Sequence, residues 1–254
     1  MNGSQVSASF PSPQEVHVWI AREDLSSRMV STFSRVLSED ELRRINKFRF
    51  QRHRLAHVFA KGMLRHILAR YLDVQPSKVV FILNSFGKPF LCPADHAPSL
   101  MFNMSHSDGL VVLSVAINRH LGIDVELVRV LHDRDGMVQD YFTDAERAII
   151  AAEPADRRDH VFYTLWTRKE AYVKAIGKGL SIRLNSFDVS FPEGMKGRNL
   201  DRSPELPSVS RWWLSDLSLP HKYMGALVVE GCSPEILYVD WDVTEILTSQ
   251  GLRP

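Results

Sequence analysis

Cysteine is scarce in this chain. Only Cys92 and Cys232 occur, far apart and in unrelated surroundings. That argues against a disulfide framework and a cysteine-based metal site, and it suits a reducing compartment. No apolar run approaches membrane-spanning length, and the first residues lack the charged start and apolar stretch of a secretion signal. A cytoplasmic, membrane-free protein is expected. A net excess of either charge is missing too. The formal net charge of +1 names no partner by itself. With 254 residues, 44% of them hydrophobic and 24% charged, the chain can bury a real core as one domain or two small ones.

One absence is local. Leu42 to Leu72 contains nine Lys and Arg residues and no Asp or Glu. Arg43, Arg44, Lys47, Arg49, Arg52 and Arg54 lead into a helix whose core side is marked by Leu55, Val58, Phe59, Met63, Ile67 and Leu68. Ser38 and Glu41 form a capping box just ahead. Solvated faces usually mix both signs, so this one points to an anionic partner. Neither an aromatic stacking platform nor a nucleic-acid motif accompanies it. A nucleotide phosphate or an acidic protein fits better than nucleic acid.

The segment Trp166 to Lys174 reads as a helix. Phe162, Leu165, Trp166, Tyr172, Val173 and Ile176 recur at helical spacing, and Gly177 suits the C-terminal stop. Glu170 and Lys174 sit one turn apart on its flank, a spacing that by itself often means only a solvated pair. Lys169 falls inside the apolar stripe and must be paired or reach a phosphate. Upstream, Gly122 to Glu126 alternates like a strand. Ile123 and Val125 face the core, while Asp124 and Glu126 share the other face with Cα atoms roughly 6.5–7 Å apart. Two carboxylates so placed can serve one hard cation, or form a plain acidic face.

Elsewhere, Val16 to Ile20, Val79 to Leu83 and Leu110 to Ile117 read as strands, with Gly87-Lys88-Pro89 as a turn. Phe102 to Ser107 ends in a polar bend before Leu110, and Asn118 to His120 reads as a hairpin into the Asp124 strand. Thr143 and Glu146 form a second capping box. Ser186 to Phe191, Ser210 to Leu217, Met224 to Glu230 and Leu237 to Trp241 read as strands. Pro192 to Pro207 is a loop, and residues 1–13 a flexible tail.

Together, Gly122-Ile123-Asp124-Val125-Glu126 and Trp166-Thr167-Arg168-Lys169-Glu170-Ala171-Tyr172-Val173-Lys174 resemble the phosphopantetheinyl transferase superfamily, in its larger monomeric, surfactin-type class. Gly87-Lys88-Pro89 and Asn103-Met104-Ser105-His106-Ser107 precede them in the family's order. The resemblance covers Ser38 to Phe187. It implies an α+β fold of two pseudo-symmetric lobes, each a small mainly antiparallel sheet packed with a long helix. The N-terminal lobe would span residues 1–118, and the C-terminal lobe, carrying the acidic residues, 119–254.

The resemblance also implies a Mg²⁺-dependent transfer. Phosphopantetheine would move from coenzyme A to a serine hydroxyl of an acyl or peptidyl carrier protein, releasing 3′,5′-adenosine bisphosphate. Asp124, Glu126 and Glu170 would hold the metal, and Lys174 would neutralise charge on the diphosphate. Glu170 or a metal-bound water would take the serine proton. Lys88, Ser105 and His106 would contact coenzyme A, as would Lys174. Arg44 and Lys47 would reach its 3′-phosphate or the acidic carrier. The surfactin-type member has an Arg just after the position of His57, where this chain has Val58. Glu146 would stand near the metal. Two rivals share parts of this pattern: a metal-dependent hydrolase of nucleotide diphosphates, and a non-enzymatic cationic module binding acidic proteins or nucleic acid.

Overall fold

A computed structural model describes residues 10–92, 99–192, 194–200, 211–243 and 246. Most of the expected tail, and residues 193 and 201–207 of the expected loop, lie outside that set. In chain order the elements are β1 (Glu15–Arg22), α1 (Ser27–Ser34), α2 (Glu39–Ile45), α3 (Gln51–Leu72), β2 (Phe81–Leu83), β3 (Pro89–Leu91), β4 (Leu100–Ser107), β5 (Leu110–Ile117) and β6 (Leu121–Leu127). Then follow α4 (Arg134–Tyr141), α5 (Asp144–Ala152), α6 (Arg158–Ile176), β7 (Arg198–Leu200), β8 (Trp212–Asp216), β9 (Tyr223–Glu230) and β10 (Glu235–Asp240).

The strands form two four-stranded sheets, ordered β10-β1-β5-β4 and β6-β9-β8-β7, with β2 and β3 as a separate hairpin. All pairings are antiparallel except β1 with β10. Alternation along the strands builds three apolar clusters. Val16, Val18, Ile20, Leu110, Val112, Ile123, Val125 and Leu227 meet between the sheets. Trp19, Val111, Leu113 and Val115 face the other way, onto Phe59, Met63 and Ile67 of α3. Ala226 and Val228 of β9 pack under Phe162, Leu165 and Val173 of α6. The result is an α+β fold with one long helix on the outer face of each sheet.

The long helices stop where the backbone turns left-handed. α6 ends at Gly177 (φ 78°), and α3 ends at Asp73 (φ 52°). Both expected capping boxes form, at Ser38 with Glu41 and at Thr143 with Glu146.

Several local readings change. β5 and β6 are not a hairpin, since they belong to different sheets. Asn118 takes a left-handed turn, and its side chain accepts from Ser99 N, which redirects the chain. Phe102 to Ser107 lies within β4, and the bend expected before Leu110 follows at Asp108 and Gly109. Residues 186–191 form no strand, because side chains bind their backbone groups. A short strand, β7, interrupts the expected 192–207 loop. Finally, β10 returns to pair with β1, so the first sheet draws strands from both sides of position 118.

Candidate active site

The site forms where β4 of one sheet runs beside β6 of the other, beneath the C-terminal half of α6. Side chains from alternate positions of β4 link the two strands. Asn103 Oδ1 accepts from Ile123 N (2.9 Å), Ser105 Oγ donates to Asp124 Oδ1 (2.8 Å) and Ser107 Oγ donates to Glu126 Oε2 (2.7 Å). Gly122 sets the helix height. A Cβ there would lie 2.1 Å from Ala171 O and 2.3 Å from Ala175 N. The helix backbone therefore rests directly on the strand, which brings Glu170 and Lys174 over the acidic pair.

Lys174 Nζ donates to Asp124 Oδ1 at 2.5 Å, to Ser105 Oγ at 3.0 Å and to Ile123 O at 3.3 Å. Asp124 is 4% exposed, and its Oδ2 is buried with no hydrogen-bond partner among the described residues. Burial raises the pKa of Glu170, and the charges of Asp124 and Glu126 push it the same way against Lys174. Burial likewise raises Glu126, with Asp124 adding to it and Ser107 and Lys174 opposing. Crowded, desolvated carboxylates of this kind favour a bound cation or a proton.

The donor set fits a hard divalent ion. It offers carboxylate oxygens only, and one of them is buried and unpartnered. The shell is not ready-made, however. Among the described residues no three His, Cys, Asp or Glu side chains stand together at metal-ligand spacing. Asp124 Oδ1 is taken by Lys174, and Glu126 Oε2 by Ser107.

The remaining expected residues fall in three places. His106 points away from Ser105 and meets His57 edge-on, with ring centroids 4.9 Å apart, while His57 stacks on Phe48 at 4.2 Å. Burial lowers the His106 pKa to about 4, helped by His57, Lys174, Lys61 and His53, so the ring is neutral at pH 7. Arg44 and Lys47 are exposed, near the end of α2. Burial first, then Arg65 and Arg44, lower the pKa of Lys61, and Glu41 opposes them. Val58 is 7% exposed and belongs to the α3 core, so a cation at that position would be driven inward.

Lys88, which the resemblance makes a contact of the donor substrate, donates from its ammonium to Leu121 O, Lys174 O and Ala175 O. Lys169 is fully buried and paired. It meets Glu146 Oε2 at 2.8 Å and donates to Leu184 O and Phe187 O. Glu146 also accepts from Thr143 N and Val189 N. This pair fastens α5 and the 184–189 segment to α6.

Sequence reasoning missed the roles of Asn103 and Ser107. Their period-two spacing against Asp124-x-Glu126 was the available signal. A cavity of about 1060 Å³ lies on another flank of α6, beside Leu165, Arg168, Phe191 and Met224. None of the site carboxylates lines it.

Two sheets, two long helices and a carboxylate–lysine cluster at their seam make a two-lobed α+β protein with one charged candidate site. The model described as 4′-phosphopantetheinyl transferase superfamily matches residues 120–223, and the one described as 4′-phosphopantetheinyl transferase, N-terminal, matches 24–118. The chain is 32% identical to the 4′-phosphopantetheinyl transferase HetI of Nostoc sp. over 217 residues, covering 85% of this chain and 88% of that protein. It is 31% identical to the 4′-phosphopantetheinyl transferase Sfp of Bacillus subtilis, over 61% and 72% of the two chains. The transferase gsp of Aneurinibacillus migulanus is 34% identical over 49% of each. The chain belongs to the 4′-phosphopantetheinyl transferase superfamily and is an enzyme of that type.

Proposed function

We propose that the protein carries out Mg²⁺-dependent transfer of 4′-phosphopantetheine from coenzyme A to a serine hydroxyl of an acyl or peptidyl carrier protein, releasing 3′,5′-adenosine bisphosphate. The observation that supports this reading is Asp124 itself. One of its oxygens is bound by Lys174 and Ser105, and the other is buried without a partner beside two carboxylates of raised pKa.

Asp124 Oδ2, Glu126 and Glu170 would hold the cation. When bound, Mg²⁺ supplies positive charge to the diphosphate oxygens and orients them. Lys174 shifts its hydrogen bonds from Asp124 to the donor and steadies charge on the departing nucleotide. Ser105 holds Asp124 in place meanwhile. Glu170, with its raised pKa, takes the proton of the attacking serine. His106 offers one N–H to a phosphate oxygen, and Arg44 and Lys47 attract the nucleotide phosphate or the acidic carrier. The enzyme acts as a cytoplasmic monomer in this reading, without nucleic acid.

Intact-mass measurement of an apo carrier protein tests the proposal. With enzyme, coenzyme A and Mg²⁺ the carrier should gain one phosphopantetheine, and with EDTA it should not. Breakdown of coenzyme A without carrier would favour a hydrolase. Retention of carrier binding after loss of all three carboxylates, with no mass gain by the wild type, would favour a cationic binding module.

A further inference from the structure

The last turn of α6 has its carbonyls capped from the other lobe. Lys88, at the turn between β2 and β3, donates to Lys174 O at 2.6 Å, to Ala175 O at 3.2 Å and to Leu121 O at 3.0 Å. Asn84, four residues earlier, donates through Nδ2 to Gly177 O at 2.8 Å. Its Oδ1 accepts from Phe86 N and Lys88 N, each at 2.9 Å, which closes the turn and aims the lysine. Gly177 leaves room for the lysine stem, since a Cβ there would sit 2.9 Å from Lys88 Cδ.

These contacts have a physical logic. The final carbonyls of a helix lack partners within it and carry the negative end of its dipole. A cation with three donors answers both needs. An ammonium has only three hydrogens, and here all three are bonded to backbone oxygens. Burial lowers the Lys88 pKa to about 8, as expected for an amine withdrawn from water without a carboxylate beside it.

The bonded carbonyls belong to the parts that make the site. Lys174 O sits on the residue whose ammonium reaches Asp124, and Leu121 O opens the strand that carries Asp124. One amine thus ties together the two backbones whose side chains form the Lys174–Asp124 pair.

We propose that Lys88 is a positioning residue of the transferase reaction. Its side chain fixes the last turn of α6 against the start of β6, so that Lys174 is held at Asp124, and its ammonium does not contact the donor. The inference rests on the transferase reading given above.

The test compares Lys88→Met, Lys88→Arg and Asn84→Ala with the wild type by three measurements. These are kcat and KM for coenzyme A at saturating carrier and Mg²⁺, the Kd for coenzyme A by calorimetry, and amide hydrogen exchange over residues 174–178. For Lys88→Met, kcat should fall about ten- to a hundredfold, because misplacing a reacting group by about 1 Å has that effect. Kd and KM for coenzyme A should stay within about twofold, and exchange at the end of α6 should quicken. Lys88→Arg should recover most of kcat, and Asn84→Ala should show the same pattern more weakly. Should Lys88→Met fail to fold, the other two variants decide the matter by the same readings.

A tenfold or greater rise in Kd with kcat preserved would make Lys88 a donor ligand and overturn the proposal. Unchanged exchange with unchanged kcat would overturn it too. Wild-type protein that modifies no carrier would defeat the transferase reading, whereas faster exchange in the variants would still uphold the helix clamp.

Discussion

Asp124 treats its two oxygens differently: one is held by Lys174 and Ser105, and the other is sealed away with no partner among the described residues. Replacing it by Ala should lower transfer at least about a hundredfold, as loss of a charge-organising group typically does. Folding should survive, because the side chain faces the seam between strands and its removal thins a crowded acidic site. Far-UV dichroism, thermal melting and the carrier mass assay together check this. Near-normal transfer at saturating Mg²⁺ would remove Asp124 from the ligand set. Lys174→Ala should depress kcat more than it raises the KM for coenzyme A, since charge builds on the diphosphate as the bond breaks. If KM alone rose, Lys174 would be a ground-state anchor.

At the scale of elements, the buried ion pair between α5 and α6 makes the sharpest forecast. Lys169 and Glu146 are both 0% exposed. Breaking such a pair from one side strands a charge, which costs about 3–5 kcal/mol. Lys169→Met and Glu146→Gln should each approach that loss in urea denaturation. The double variant should lose less than their sum by more than about 1 kcal/mol, because the second change removes the stranded partner. Strict additivity would mean the two are not coupled. The same pair explains one misreading. Residues 186–191 alternate like a strand, yet Val189 N goes to Glu146, Phe187 O to Lys169, and Val189 O and Phe191 O to Arg168. Local alternation reports which side is apolar, and it is silent about long-range side chains that capture a backbone. Lys169 was legible as a problem needing a partner. Which partner depended on tertiary structure.

At the scale of the whole molecule, one buried histidine makes acid costly, while the raised Glu126 and Glu170 work against it. His66 packs against Phe33 and Trp241, and its Nε2 has no partner among the described residues. Burial, aided by Arg70, lowers its pKa to about 4. The unfolded chain takes up that proton near pH 6.5 and the folded chain only near 4. Stability is therefore full above pH 6.5 and declines as pH falls towards 4, by on the order of 1–3 kcal/mol from this residue. His66→Leu should flatten that part of a stability-versus-pH curve. An equally steep curve would show that the ring already carries its proton in the fold. His106 has the same sign and leaves a residual slope in the variant.

Most of the large architecture was readable from alternation and helical spacing: the inward Ile123 and Val125, the apolar stripe of α6, the stop at Gly177. The acidic strand and the lysine one turn after Glu170 were readable too. What could not be read were contacts with no local signature. Lys88 clasps a helix that lies far along the chain, and Asn118 bends the chain out of one sheet and into another. Val58 departs from the surfactin-type pattern, and its burial in the α3 core is a tertiary fact with no local signature.

The return of β10 to β1 has a consequence for the order of events during synthesis. β1 is flanked by β5 and β10, and Trp241 beyond β10 stacks on Phe33 of the first lobe. Vectorial folding proceeds as the chain emerges, at about 5–20 residues per second. The first lobe to leave the ribosome is thus among the last to be finished, and it waits with an open strand edge until the second lobe has been made. A chain halted after Glu230 should expose that edge and aggregate. Adding residues 231–254 as a separate peptide should restore solubility if this strand is what closes it. Insolubility unchanged by the peptide would place the cause elsewhere.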